Sequence, residues 1–168
     1  QQGPALANYA AKEMHVKKIA IVDDSTAYGQ GLAQQFETAA KAAGITVVSH
    51  DATNDKAVDF RAILTKIKGE NPDAIMIGAM DATGGPFAKQ AKQLGLRAKI
   101  LAGDGVCTAN IADLAGNAAD NIVCSQAGVG LDQMAGGAAF AAKYKKRYGQ
   151  DVVLYSPYTC LLYTSDAA

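Results

Sequence analysis

Residues 17–36 read K-K-I-A-I-V-D-D-S-T-A-Y-G-Q-G-L-A-Q-Q-F, which is the pattern of a strand, a polar loop and a helix in succession. Ile19 to Val22 is too short and too rich in β-branched side chains for a helix, so it predicts a buried strand. Apolar residues return at helical spacing from Leu32 onward, which predicts an amphipathic helix. Because ligands of open α/β sheets bind beyond the carboxyl ends of the strands, the segment from Asp23 to Tyr28 is the first candidate site.

The same alternation of short apolar runs and helical patterns continues along the chain. Strands are predicted to begin near Ile19, Thr46, Ala74, Lys99 and Asn121, at spacings of 22 to 28 residues. The segments share this period but no motif, so the chain is not a sequence repeat. The alternation predicts an α/β fold: a three-layer, doubly wound, mostly parallel five-stranded sheet with helices on both faces.

Breakers and caps set the predicted boundaries of the elements. The first helix is expected from Pro4 to Met14, and the second strand from Ile45 to Val48. A turn-rich loop is expected from Asp51 to Asp55, and another loop from Gly78 to Gly85. The last long helix is expected from Met134 to Tyr148.

The composition excludes several classes of protein. Of the 168 residues, 49% are hydrophobic and 19% are charged, which is typical of a globular chain with a core. The 16 basic and 16 acidic residues cancel, so no net field attracts nucleic acid or an anionic membrane. No apolar run approaches the ~20 residues of a membrane helix.

Motifs of catalysis are absent as well. The sequence has no serine-hydrolase elbow, no phosphate-binding P-loop and no dinucleotide-binding glycine motif after the first strand. His15 and His50 stand alone, without the clustered ligands of a metal site. We therefore expect neither an enzyme nor a cofactor.

Both ends of the chain have the character of cut ends. No signal peptide is visible and the chain opens close to a helix start, so we expect it to begin inside a longer protein. Residues 160–168 read C-L-L-Y-T-S-D-A-A, which resembles the translated read-through of a sequencing adapter. We expect a ligand-binding domain over residues 1–159 and a non-native tail over 160–168. A native hydrophobic tail is the alternative.

Right-handed crossovers place the loops after all five strands along one edge of the sheet, which we call the carboxyl edge. These loops are residues 23–28, 51–55, 80–83, 103–107 and 125–130. All five carry acidic or hydroxyl side chains. The carboxyl edge is therefore predicted to bind a small cationic or zwitterionic ligand.

One interpretation of this edge is a response-regulator receiver domain. Its strand ending I-V-D-D-S resembles the acidic pair with which receivers hold magnesium. However, a receiver needs a phosphate-accepting aspartate at the end of the third strand, where this chain has Gly78, and Asp81 comes three residues later. The lysine that receivers have at the end of the fifth strand is also missing, because this chain has Ile122-Val123-Cys124-Ser125 there. The effector domain of a transcriptional repressor is another interpretation, because such domains have the same kind of fold.

Five motifs, taken together, resemble periplasmic substrate-binding proteins of branched-chain amino acid ABC transporters. They are D-D-S-T-A-Y-G-Q-G-L-A, A-I-M-I-G-A-M-D-A-T-G-G-P-F, K-Q-L-G-L, L-A-G-D-G-V-C-T and L-Y-S-P-Y-T. The resemblance covers nearly all of residues 1–159 and corresponds to the carboxyl-terminal lobe of a two-lobed protein. It implies capture of a branched-chain or related aliphatic amino acid, delivery to a membrane permease, and a periplasmic location.

The resemblance also implies roles for individual residues. Tyr28 matches an aromatic residue that covers the ligand, and Asp104 matches the acidic partner of the α-ammonium group. Met80 falls where many members have an aromatic residue, and Asp81 is a candidate second carboxylate. Gly103 belongs to a loop whose backbone can approach a ligand closely. A desolvated ammonium needs such a fixed anionic partner.

Structural roles remain open for several of these residues. Asp23 and Asp24 are alternatively solvated loop carboxylates or caps, Asp104 an Asx-turn or N-cap, and Tyr28 a packing residue. Cys107 and Cys124 would be buried thiols in the cytosol, whereas the periplasmic resemblance favours a disulfide between them.

Overall fold

The computed structural model describes residues 1–126, 128–153 and 155–158. The chain divides into two compact units, Gln1–Gln126 and Ala127–Ala168. The expected tail at 160–168 lies outside the described residues, so both it and the single domain over 1–159 stay predictions. No helix in the described part of the chain has the length and apolar character needed to cross a bilayer.

Five parallel strands form one sheet in the first unit. They are β1 (Lys18–Asp23), β2 (Thr46–Ala52), β3 (Ala74–Gly78), β4 (Lys99–Ala102) and β5 (Ile122–Cys124). Their order across the sheet is β2-β1-β3-β4-β5, and each neighbouring pair is parallel. The predicted doubly wound α/β fold is confirmed.

The described helices belong to both units, and those of the first unit cover both faces of the sheet. They are α1 (Gln2–Lys12), α2 (Ala27–Ala42), α3 (Arg61–Glu70), α4 (Asp81–Gln93) and α5 (Ile111–Ala115), with α6 (Gly137–Tyr148) in the second unit. Short 3-10 helices span Gly116–Asn121 and Leu131–Gln133. Helices α1 and α2 pack on one face, and α3, α4 and α5 pack on the other.

Each face of the sheet has its own apolar core because successive strand residues point to opposite sides. Ile19 and Ile21 pack with Phe36 of α2 in one core, whereas Ala20 and Val22 belong to the other. In that second core, the rings of Phe60 and Phe87 meet edge to face, 5.5 Å apart. Burying each such large side chain contributes about 1.5–3 kcal/mol, so the two cores hold the sheet between its helical layers.

Two predicted loops are shorter than expected. The prediction that the second strand ends at Val48 is wrong, because parallel pairing with β1 continues until Asp23 lies opposite Ala52. The predicted loop from Gly78 to Gly85 is also wrong, because α4 begins at Asp81. Glycines weaken a helix, but here packing overrides propensity.

The two glycines inside α4 show why packing wins. A Cβ on Gly84 would lie 2.8 Å from Val106 Cγ2, and one on Gly85 would lie 2.5 Å from Leu114 Cβ. The small residues therefore let α4 approach the segment that follows β4. This close approach brings the amino terminus of α4 to the carboxyl edge.

Two predicted helix ends shift by a few residues. Helix α1 ends at Lys12 rather than Met14, and the chain then turns through His15, which has a left-handed backbone with φ 55°. In the second unit, α6 begins at Gly137 rather than Met134, directly after Gly136 with φ 78°. Both left-handed residues interrupt the helical path.

Within the second unit, aromatic side chains line one side of α6. The ring centroids of Phe140 and Tyr144 are 5.9 Å apart, and those of Tyr144 and Tyr148 are 4.7 Å apart. This four-residue spacing is that of neighbouring positions on a helix surface. The stripe stabilises α6 locally.

Candidate ligand-binding site

The candidate site lies at the carboxyl edge, where the strand order reverses. β1 leads through α2 to β2 on one side, while β3, on the other side of β1, leads through α4 to β4. Because α2 and α4 lie on opposite faces, their amino termini diverge around the ends of β1 and β3. Such a switch point forms the ligand crevice of open α/β sheets.

The loop after β1 is fixed by its own carboxylates. Asp24 Oδ1 accepts hydrogen bonds from the backbone N–H of Thr26 at 3.0 Å and from its hydroxyl at 2.6 Å. Thr26 Oγ1 in turn caps α2 by accepting from the N–H of Gly29 at 2.9 Å. Asp23 Oδ1 accepts from the N–H of Ser25 at 2.8 Å. These bonds set the start of α2 and hence the position of Tyr28.

The alternative of solvated carboxylates is wrong for Asp23 and Asp24, which are 6% and 2% exposed. The cap alternative is also wrong, because Thr26 caps α2, whereas each aspartate accepts from the backbone N–H two residues further along the loop. The other oxygen of Asp24, Oδ2, is buried without a hydrogen-bond donor among the described residues.

A close backbone contact explains the glycine at the end of β3. A Cβ on Gly78 would lie 3.2 Å from Gly29 Cα and would overlap the carbonyl oxygen of Gly29. Reciprocally, a Cβ on Gly29 would lie 2.5 Å from the carbonyl oxygen of Gly78. No side chain fits at either position, so the carboxylate that a receiver domain needs at Gly78 is sterically excluded.

Tyr28 and Asp104 meet across the crevice. The hydroxyl of Tyr28, in the first turn of α2, donates a hydrogen bond of 3.1 Å to Asp104 Oδ1, on the loop after β4. Asp104 is only 6% exposed. Burial, followed by the negative charge of Asp104 and the hydrogen bond to it, raises the pKa of Tyr28 to about 12. Tyr28 therefore stays protonated and donates a hydrogen bond to a buried carboxylate at any physiological pH.

Two glycines flank Asp104 because side chains of the site occupy the space around them. A Cβ on Gly103 would lie 2.7 Å from Leu32 Cδ2 and would overlap the hydroxyl of Tyr28. A Cβ on Gly105 would lie 2.6 Å from the sulfur of Met80. Met80, directly before α4, is half-exposed and offers an apolar surface beside the carboxylate.

Asp81 is engaged by the protein. Its Oδ1 accepts from the N–H of Ala82 at 2.8 Å, and its Oδ2 accepts from the hydroxyl of Thr108 at 2.5 Å. Its own N–H donates to the carbonyl of Gly105 at 2.9 Å. These contacts favour a role in fixing the loop after β4 to the start of α4, rather than the second ligand carboxylate that the sequence suggested.

A disulfide also fixes this loop. Cys107 and Cys124 are bonded, with their Cα atoms 6.1 Å apart and a sequence separation of 17. Cys124 is the last residue of β5, so the bond ties the loop that carries Asp104 to the edge of the sheet. The alternative of two buried free thiols does not agree with this bond.

Sequence reasoning missed two residues of the region. Gln2 Oε1 accepts a hydrogen bond from the backbone N–H of Asp104 at 3.3 Å. His50 lies with Nδ1 2.6 Å from Glu37 Oε2 and Nε2 3.2 Å from Asp23 Oδ2, which links β2 to α2 and β1. A lone histidine and an amide at a helix start carry no motif that could have identified either contact.

The site combines a buried carboxylate, a phenol that donates to it and an exposed thioether. Within residues 1–126, 128–153 and 155–158, no group of three histidine, cysteine, aspartate or glutamate side chains is placed to hold a metal ion. A buried carboxylate beside a phenol and an apolar surface is suited to a small cation that brings its own apolar part.

Related proteins share both sequence and fold with this chain. A Leu/Ile/Val-binding protein of Rhizobium johnstonii is 36% identical over 146 residues, which are 85% of this chain and 40% of that protein. The Leu/Ile/Val-binding protein homolog 3 of Brucella melitensis is 37% identical over 106 residues, 63% of this chain and 29% of that protein.

Solved structures of related proteins have the same fold as this chain. A leucine-binding protein of Thermotoga maritima superimposes with a TM-score of 0.78 at 25% identity, covering 91% of this chain and 44% of that one. A branched-chain amino acid transporter substrate-binding protein of Streptococcus pneumoniae, solved with isoleucine, gives a TM-score of 0.78 at 26% identity, covering 92% and 44%.

The chain thus spans less than half the length of each of these relatives. The comparisons favour neither the receiver domain nor the repressor effector domain. The sequence profile of the periplasmic binding proteins matches residues 1–163. With this match and the shared fold, the chain belongs to the periplasmic binding protein family.

Proposed function

We propose that this chain is the second lobe of a solute-binding protein that captures a branched-chain or related aliphatic amino acid. The observation that carries the proposal is the Tyr28–Asp104 pair, a hydrogen-bonded phenol and buried carboxylate at the carboxyl edge. In this proposal, Asp104 binds the α-ammonium group and Tyr28 keeps the carboxylate in place. Met80 and the ring of Tyr28 line the pocket for the apolar side chain.

The remaining parts of the protein follow from the same proposal. A first lobe outside this chain holds the ligand's carboxylate, and the two lobes close around the ligand without any chemical step. The full-length protein acts in the periplasm and delivers its ligand to the membrane permease of an ABC importer. Residues 1–159 form the lobe, and residues 160–168 are a non-native tail.

Calorimetry of the two-lobed protein tests the proposal directly. Titration with leucine, isoleucine, valine and phenylacetate should give tight binding of the amino acids. Asp104→Asn leaves a buried ammonium without its charge partner, which costs about 3–5 kcal/mol, or more than about 100-fold in Kd.

Asp113→Asn, at an exposed position on α5, is the matched control and should leave the Kd unchanged. Unaltered amino acid binding by Asp104→Asn would remove the assigned ammonium partner. Binding of beryllofluoride in place of the amino acids would instead favour the receiver domain.

A further inference from the structure

Gln2 connects the start of α1 to two segments of the carboxyl edge. Its side-chain oxygen accepts a hydrogen bond from the backbone N–H of Asp104 at 3.3 Å and another from the hydroxyl of Ser125 at 3.1 Å. These donors lie 102 and 123 residues away in sequence. One amide therefore joins the loop after β4 and the end of β5 to the first helix.

The backbone of Gln2 is itself firmly held. It is the first residue of α1, and a Cβ on the next residue, Gly3, would lie 2.7 Å from the backbone nitrogen of Phe36 in α2. The start of α1 is thus pressed against α2, with Leu6 and Ala7 buried behind it. Since α2 also carries Tyr28, the amide of Gln2 and the phenol of Tyr28 belong to two helices that pack against each other.

The loop that donates this hydrogen bond is held at several points: at Gly105 by the N–H of Asp81, at Cys107 by the disulfide, and at Asp104 by Gln2. Asp104 lies between two glycines, which impose little conformational preference of their own. A Cβ on Gly103 would lie 2.9 Å from Gln2 Oε1, so the amide oxygen is close to the loop backbone on one side of Asp104. Tyr28 holds the side chain of Asp104, and Gln2 holds its backbone.

We propose that Gln2 is a positioning residue for ligand capture, which fixes the backbone of Asp104 so that its carboxylate is preorganised for the ligand's ammonium group. This inference rests on the proposed function. Gln2 does not touch the ligand; it acts through Asp104. Preorganisation of a binding group raises affinity by lowering the ordering cost at binding.

The test uses the two-lobed protein with Gln2→Met, which keeps the side-chain length but removes the hydrogen-bond acceptor. The Kd for leucine should rise about tenfold, the effect of a hydrogen bond at the upper end of the usual range. Gln2→Glu retains an acceptor oxygen and should recover most of the affinity. Gln93→Met, the same substitution at the exposed end of α4, is the control and should not change it.

A second measurement separates positioning from general support of the fold. If Gln2 fixes Asp104, its loss also loosens the Tyr28–Asp104 pair, so the pKa of Tyr28 should move from about 12 toward 10.0 in Gln2→Met. Ultraviolet titration of each protein against its Tyr28→Phe counterpart isolates this one tyrosine. If Gln2→Met does not fold, Gln2→Asn withdraws the amide by one methylene and replaces it in both experiments.

The outcomes are distinguishable. Unchanged leucine affinity in Gln2→Met, or lower affinity with an unaltered pKa of Tyr28, overturns the positioning role. If the unmodified protein binds no amino acid, the proposed function fails, whereas the titration still reports whether Gln2 holds Asp104.

Discussion

Replacing Gly103 by alanine should destabilise the protein, although the same substitution usually stabilises a flexible chain. The added methyl group would lie 2.7 Å from Leu32 Cδ2 and 2.9 Å from Gln2 Oε1, and it would overlap the hydroxyl of Tyr28. Contacts this short must be relieved by moving the loop or the surrounding side chains. Overpacking of this kind costs about 1–3 kcal/mol.

Gly31→Ala is the matched control because it lies inside α2 with open space around its Cβ position. Alanine there should stabilise the helix by about 0.5–1 kcal/mol. The two substitutions are chemically identical. The predicted changes in the free energy of unfolding therefore have opposite signs only because the two glycines have different surroundings in the fold.

Urea denaturation followed by circular dichroism at the helix band measures both changes, since the chain has no tryptophan for fluorescence. With typical urea dependence, a loss of about 2 kcal/mol lowers the midpoint of Gly103→Ala by about 1 M. Gly31→Ala should raise the midpoint. If both variants shift the midpoint in the same direction by similar amounts, the crowding around Gly103 is refuted.

Three further predictions concern the same region. The pKa of Tyr28 is raised in the folded protein, so the contribution of Tyr28 to stability is complete below pH 10 and is lost as the pH rises toward 12. Difference titration against Tyr28→Phe should place the ionisation of Tyr28 near pH 12, and Asp104→Asn should lower the pKa of Tyr28. Reducing the disulfide between Cys107 and Cys124 should lower the free energy of unfolding by about 3 kcal/mol, the value for a loop of 17 residues, in urea melts with and without reductant. Phe87→Ala should cost about 3–5 kcal/mol in the same melts, because the ring is fully buried against another aromatic ring.

The layout of the fold and the neighbourhood of the site follow from local patterns in the sequence. Short β-branched runs alternating with helical patterns leave few topologies besides a parallel sheet. Since parallel strands end at one edge, Tyr28 and Asp104 could be expected to approach each other despite their sequence separation of 76. The resemblance in the five motifs then assigned their roles.

Other features depend on packing that no local pattern encodes. A buried turn carboxylate such as Asp24 has the same sequence context as a solvated one, because its partners are backbone and hydroxyl groups of its own loop. Helix α4 begins earlier than its glycines suggest, since Val106 and Leu114 require small residues opposite them. The contact of Gln2 with Asp104 joins residues with no shared periodicity.

The disulfide between Cys107 and Cys124 keeps the loop that carries Asp104 ordered whether or not a ligand is bound. Immobilising a free chain costs about 1–2 kcal/mol per residue. With one end held by β4 and the other by the cross-link, the segment around Asp104 loses its conformational entropy once, when the protein folds and the disulfide forms. In the proposed transport cycle, successive capture and release events then proceed without repeating that loss.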